Sequence, residues 1–431
     1  MASRTRLTTI NWRRRLEFVA VLLYSSLFAI AILTTTTTSA ATTSTGANSR
    51  IENENQMSLS DAPQKSTTPV IGVLTEVLRD YLRFTNTHHL FIASSYVKWL
   101  ESAGAQVVPI LLNQNESYYE TMFKQTNGLL FPGGDNLLDP NKDTPMMVAA
   151  KKMYKLAVEA NDNGDFYPIW GTCLGLELLS VLSSNKNMLE DCSAVDTTLP
   201  LQFATRGKMF APSCYPDTCP SNNPDFSNKI IDLLRKEGLT YNYHHKCLTD
   251  EGLRRANLDK FYRPLAYSND KNNNKFIAIF EAIKYPFYGV QFHPEKPPFE
   301  FAIGKTQKNV PHSRKAIAVS RYFADFFVGQ AQLNGHKPIE KELQNKYIYA
   351  FTPMYTALKN DLYEQRYLFP FGSETNVDLE EFIEHIPAEG EEVPEDVLDI
   401  SSMSEGTLIV GNIDFKLAQR ESIENDLFVS Y

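Results

Sequence analysis

The chain has 431 residues, 43% of them hydrophobic and 22% charged, an ordinary globular composition with enough length for a large core and an appended segment. Its net charge of −9 is unevenly placed: residues 372–431 hold 16 acidic and 2 basic side chains, the first 50 hold six Arg against Glu17, and residues 51–371 carry 34 of each sign. A nucleic-acid binder would show a basic surplus in its folded part, so nucleic acid is not an expected partner.

The chain opens with the layout of a secretory signal: an Arg-rich start, an apolar stretch from Phe18 to Leu33, and the small residues Thr38-Ser39-Ala40 where a peptidase could cut. Residues 1–40 are therefore expected to be a signal peptide, with an uncleaved signal anchor as the alternative because the apolar stretch is slightly long. Residues 41–68 are Thr/Ser-rich and polar, with too little apolar content to pack.

From residue 69 onward, short apolar runs alternate with helical patterns. Val70–Leu74, Val107–Leu111, Leu129–Phe131 and Pro168–Trp170 are continuous apolar stretches of the kind buried on both faces of a parallel sheet. Between them, Ser94–Ser102, Ser117–Gln125 and Thr144–Asn161 have helix-like spacing. Phe276–Glu281 and Tyr288–Phe292 read as a strand pair joined through Lys284-Tyr285-Pro286. Ser313–Val328 reads as an amphipathic helix and Tyr347–Phe351 as a last strand. The βαβα order predicts an α/β fold, a mostly parallel central sheet flanked by helices, with its site at the carboxyl ends of the strands. This domain is expected to span residues 69–371, and the acidic, aperiodic residues 372–431 to be mainly disordered.

Three motifs stand where such a site belongs. Gly171-Thr172-Cys173-Leu174-Gly175 has the G-x-nucleophile-x-G form of a strand-to-helix elbow, in which the helix N-terminus favours a thiolate and the Leu174 N–H is placed to donate to an oxyanion. Standing alone, the motif would also suit a buried structural cysteine beside a tight turn. His293-Pro294-Glu295 follows a strand, and with Pro294 biasing His293 to extended backbone, positions i and i+2 point to one side, so that Glu295 orients the His293 imidazole as base toward Cys173. Pro132-Gly133-Gly134 exposes backbone N–H groups after another strand, suited to the second half of an oxyanion hole or to a plain tight turn.

Five cysteines in a secreted chain leave one over: Cys192, Cys214, Cys219 and Cys247 allow two disulfides in three connectivities, with Cys173 free. Asn115-Glu116-Ser117 is the one Asn-x-Ser/Thr sequon, a glycosylation site expected at Asn115 on a surface loop. The histidines show no ligand spacing with the cysteines, so neither metal nor cofactor is expected.

Val70–Thr75, Tyr96–Ala105, Leu130–Gly134, Trp170–Gly175 and Tyr288–Lys296, in that order, resemble the γ-glutamyl hydrolase (folylpolyglutamate hydrolase) family of the class I glutamine-amidotransferase-like superfamily, whose fold is a flavodoxin-like sandwich. Tyr349–Thr356 is similar to that family's C-terminal strand. The resemblance covers about residues 69–371 and implies hydrolysis of γ-glutamyl amide bonds through a thioester on Cys173. By it, His293 is the base, Glu295 the third member, Gly134 and Leu174 the oxyanion donors, and Gly133 part of the substrate site. Asn242-Tyr243-His244 looks like the family's Asn-Phe-His segment and puts His244 at the substrate, although His245-Lys246-Cys247 then departs from the pattern. The implied partner is a small γ-glutamyl substrate such as folylpolyglutamate, with a homodimer as an option, and the implied location is secreted or in the lysosomal or vacuolar lumen. Two other readings stay open: a glutaminase-type amidotransferase feeding a partner, and a non-catalytic binding protein on the same scaffold.

Overall fold

A computed structural model describes residues 67–78, 90–211, 224–301, 307–357 and 362–371, together with two short strands at 407–410 and 413–416. The described residues belong to one compact unit, Ala62–Tyr431, and the expected leader and most of the 41–68 segment lie outside them.

In chain order the elements are β1 (Val70–Leu74), β2 (Glu76–Val77), β3 (Leu90–Ala93), α1 (Ser94–Ser102), β4 (Gln106–Ile110), α2 (Glu116–Lys124), β5 (Gly128–Phe131), α3 (Pro145–Asp162), β6 (Ile169–Thr172), α4 (Leu174–Ser184), β7 (Glu190–Leu199) and β8 (Gln202–Phe203). There follow α5 (Pro224–Lys236), β9 (Thr240–Cys247), α6 (Asp250–Arg255), β10 (Tyr262–Asn269), β11 (Lys275–Ala282), β12 (Phe287–Val290), α7 (Lys296–Phe299), α8 (Arg314–Ala331), β13 (Met354–Tyr355), β14 (Gln365–Phe369), β15 (Thr407–Val410) and β16 (Ile413–Lys416).

The central sheet has eight strands in the order β4-β1-β5-β6-β12-β11-β10-β8. Its first five strands run parallel, and the last three pair antiparallel. Strands β1, β5, β6 and β12 are buried at every position, which is why their sequences are continuous apolar runs rather than alternating ones. Alternation within β6 sorts the helices to the two faces. Trp170 packs against Trp99 of α1 and Phe323 and Phe327 of α8, and the Trp99 indole N–H donates to the Ser320 carbonyl at 3.1 Å. The next residue, Gly171, faces the other way, where a Cβ would lie 2.4 Å from the Gly175 carbonyl of α4. Helices α1 and α8 thus cover one face of β6 and α4 the other.

Beside it stand a four-stranded sheet, β13-β14-β3-β2, and a two-stranded ribbon, β7-β9, with a further pair, β15-β16, in the tail. Here the sequence expectation needs correction. Tyr347–Phe351 is not a strand; Ile348–Ala350 forms a 3₁₀ turn, and the last strand of the four-stranded sheet is β14. The aromatic run suits a strand, but Ala350 N–H donates back to Tyr347 O at 2.9 Å and closes a turn instead. In the tail, β15 and β16 pair antiparallel from Thr407↔Lys416 to Val410↔Ile413. The rest of residues 372–431 lies outside the described ones. A disulfide joins Cys192 to Cys247, and Cys173 is free, while Cys214 and Cys219 lie outside the described residues. Among the described residues, no helix is long and apolar enough to cross a membrane.

Candidate active site

The site lies at the carboxyl ends of β5, β6 and β12, and its shape is dictated by glycines. Cys173 sits between β6 and α4 with φ 53° and ψ −110°, a backbone conformation L-residues rarely adopt. The turn is possible because Gly175 lets α4 approach β5: a Cβ there would lie 2.0 Å from the Phe131 carbonyl oxygen. The Cys173 N–H donates to Val290 O at 2.8 Å, tying the elbow to β12, the strand that delivers the base.

Gly133 leaves room for both Cys173 and His293. A Cβ on it would lie 2.7 Å from His293 Cε1 and 3.1 Å from Cys173 Cβ, so both side chains approach the same point beside this residue. His293 Nδ1 is 2.7 Å from Glu295 Oε1; with Nδ1–H donated to the carboxylate, Nε2 keeps its lone pair for the thiol. The pairing is as the sequence predicts, but the backbone is not extended: Glu295 is helical (φ −74°, ψ −22°) and leads into α7. Pro294, Pro297 and Pro298 impose a turn and a helix start, and the turn brings the two side chains together instead.

The helix-terminus argument for a thiolate is opposed by burial. Burial pushes the Cys173 thiol well above its ordinary value and Glu177 adds to this, while the Leu174 N–H directed at the sulfur pulls the other way. Burial lowers His293 below its ordinary value, against the raising effect of Glu295. Both directions favour the thiol and the imidazole in their uncharged forms, so that the proton moves as the thiol attacks. The dipole of α4 is outweighed by the loss of water around a thiol only 4% exposed.

Gly133 N–H is committed to the Tyr96 hydroxyl at 2.7 Å, leaving Gly134 as the backbone donor next in line. Gly134 is itself held closely: a Cβ on it would fall 1.5 Å from Glu76 Oε2. Strand β9 forms the opposite wall, with the Tyr243 carbonyl 3.9 Å from Cys173 Sγ. The next residue, His244, is buried, its Nδ1 lying 3.0 Å from Lys246 O and its Nε2 3.2 Å from Asn242 Oδ1. Burial, with a smaller contribution from His293 and against the raising effect of the Lys246 carbonyl, holds its pKa down to about 3, so His244 is neutral. Asn115 is remote from this chemistry in role: it is exposed and caps α2 by accepting from Tyr118 N–H at 2.9 Å.

Three residues that the motifs do not single out also reach the site. Tyr96 lies on α1 with its hydroxyl 3.5 Å from His293 Nδ1. Glu177, one helical turn after Cys173, accepts from Gln291 Nε2 at 2.8 Å and is pushed up to about 8 by burial. Lys296 is buried, donates to Gln307 Oε1 at 2.8 Å and lies 4.7 Å from the Tyr363 ring centre. The i+4 spacing of Glu177 was visible in the sequence, whereas Tyr96 depends on how α1 packs. Among the described residues, no group of three or more His, Cys, Asp and Glu is placed to hold a metal ion.

The peptidase C26 family pattern matches residues 69–295 of the chain. The γ-glutamyl hydrolase of Rattus norvegicus is 38% identical over 310 residues, covering 70% of this chain and 90% of that protein. The human γ-glutamyl hydrolase is 38% identical over 303 residues, covering 70% and 89%, and γ-glutamyl hydrolase 1 of Arabidopsis thaliana is 30% identical over 319 residues, covering 72% and 85%. Among solved structures, a glutamine amidotransferase from Thermotoga maritima aligns with 62% of this chain and 99% of its own at 10% identity and a TM-score of 0.35.

Proposed function

The chain belongs to the peptidase C26 family and hydrolyses γ-glutamyl amide bonds, and from that premise we propose that it acts on folylpoly-γ-glutamates, with Cys173 as nucleophile and His293 as its base. The Cys173 sulfur attacks the γ-carbonyl carbon as its proton passes to His293 Nε2. The resulting oxyanion is held by the N–H groups of Gly134 and Leu174. Collapse expels the amine, which takes the proton from His293 and leaves a thioester; water, deprotonated by His293, then releases the acid and restores the thiol. Glu295 keeps the imidazole in the productive tautomer and offsets its transient charge. Gly133 and His244 bound the space that the substrate's glutamyl group enters.

The observation that carries this reading is that Cys173 and His293 both approach the point a Gly133 Cβ would occupy. We assign the hydrolase to residues 69–371, a leader to residues 1–40 that directs the chain to the exterior or to a lysosomal or vacuolar lumen, a flexible connection to 41–68, and a glycan to Asn115. The test is an assay of the secreted protein on a ladder of pteroyl-γ-glutamates of increasing length. Release of glutamate or of γ-glutamyl peptides is expected; turnover of free glutamine with no attack on the ladder would overturn the substrate assignment.

A further inference from the structure

We propose that the Cys192–Cys247 disulfide is a positioning element for substrate binding: it holds β9, and with it His244 and the Tyr243 carbonyl, against the nucleophile. The proposal rests on the γ-glutamyl hydrolase reading and on His244 facing the substrate.

The need for such a tie lies in the ribbon that carries these groups. Strands β7 and β9 pair only with each other and not with the eight-stranded sheet, and a two-stranded ribbon is marginal on its own. Its ladder is also irregular where it matters. Glu190 pairs with Cys247 and Asp191 with Lys246, then the register shifts; Ala194 pairs with His244, and the register shifts again before Thr197 pairs with Asn242. His244 therefore sits on an isolated rung between two irregularities, where local slippage costs little.

Each end of the ribbon is tied. Past one irregularity, the Tyr241 hydroxyl donates to Asp196 Oδ1 at 3.0 Å, and Asp196 accepts from Asn309 N–H at 3.1 Å. Past the other is the disulfide, both of whose cysteines are buried. Lys246, between Cys247 and His244, forms an ion pair with Asp191 at 2.8 Å, but Asp191 is exposed, and such a pair holds weakly. The carbonyl of the same Lys246 lies 3.0 Å from His244 Nδ1. Anchoring Cys247 thus fixes the Lys246 carbonyl, which fixes the His244 ring. Reduction by a dithiol would transfer two electrons and two protons to the cysteines, closing the dithiol into a cyclic disulfide and removing the covalent tie, with the Ile277 N–H to Leu248 O bond at 2.9 Å left at this end. Cys173 is already a free thiol and is not changed by that step.

The test measures kcat and KM on one γ-glutamyl substrate of defined length for the wild type, Cys192→Ala/Cys247→Val, His244→Ala and the triple variant, with the wild type also treated with dithiothreitol under native conditions. Loss of the disulfide, by substitution or by reduction, is expected to raise KM about tenfold with kcat little changed, the worth of misplacing one buried hydrogen-bonding group. In the His244→Ala background, removing the disulfide should add no further rise, since the two changes act through one group. An active wild type whose KM ignores the disulfide overturns the proposal, even if the melting temperature falls, and so do effects on KM that add in full. If the double variant fails to fold, the reduced wild type gives the same readout. A wild type inactive on every γ-glutamyl substrate overturns the functional reading itself, and this proposal with it.

Discussion

The two walls of the site are built in opposite ways. On one side, Cys173, Gly133, Gly134 and His293 stand at the ends of parallel strands buried at every position, and closeness is achieved by leaving out side chains. On the other, Tyr243 and His244 ride on a two-stranded ribbon with two register shifts, held by side-chain ties and one covalent bond. Bond-making groups need fixed geometry, because small misplacement is expensive in rate, and the packed sheet supplies it. The difference teaches that substitutions on the sheet side should act on kcat and those on the ribbon side on KM.

The sharpest test of that division is the catalytic series. Cys173→Ala should lower kcat by about 10⁴-fold or more with the fold intact, and His293→Ala should be nearly as severe. Glu295→Gln should retain more activity than either, because Glu295 acts only through the imidazole. The Cys173/His293 double variant should be little worse than Cys173→Ala, since groups that act as a unit do not add their losses. Steady-state kinetics with circular dichroism on each variant checks this, and near-normal turnover by Cys173→Ala would break the assignment.

Gly134→Ala comes next. Its new methyl group would collide with the Glu76 carboxylate and displace the peptide N–H assigned to the oxyanion. A fall in kcat of about 10²–10³-fold is expected. An unchanged kcat would remove Gly134 from the oxyanion hole.

A smaller effect follows from Glu177. Burial raises its pKa to about 8 in the folded protein, above the ordinary carboxylate value of the unfolded chain. Folding therefore binds a proton between those values: the contribution is fully present below the unfolded pKa and is lost as pH rises through the folded one. Glu177→Gln removes this dependence and should raise the melting temperature relative to wild type by several degrees at pH 8, and by less at pH 5. Equal shifts at both pH values would show that Glu177 does not titrate in this range.

The least effect is expected from deleting residues 372–431. The last strand of the four-stranded sheet ends at Phe369, so melting temperature and kcat/KM should both stay near the full-length values. A large fall in melting temperature would show that the tail packs on the hydrolase.

What the sequence made legible follows the same division. The apolar runs Val70–Leu74 and Leu129–Phe131 announce buried parallel strands, and Ser94–Ser102 is a helix at the limits its spacing predicts. The elbow at Cys173 and the pairing of His293 with Glu295 were legible because an elbow and a His-Pro-Glu turn use few residues in fixed order. The ribbon was not. Glu190–Leu199 and Thr240–Cys247 are polar and only partly buried, so neither alternation nor an apolar run marks them. The upward push on the Cys173 thiol was hidden for a different reason: the helix dipole is visible in a sequence, but the burial that opposes it exists only once α4, β5 and β9 have closed around the sulfur.

Strand β14 pairs with β3 from Arg366↔Ala93 to Phe369↔Leu90, and α1, which carries Tyr96, leaves directly from β3. That pairing joins opposite ends of the hydrolase, and closing so long a loop spends entropy before its contacts return any. Strand β14 can take its place beside β3 only once the chain has been made through Phe369, by which point Cys173, His293 and Glu295 have all been made. A chain ending before residue 365 would keep those three side chains but lack the strand that pairs with β3.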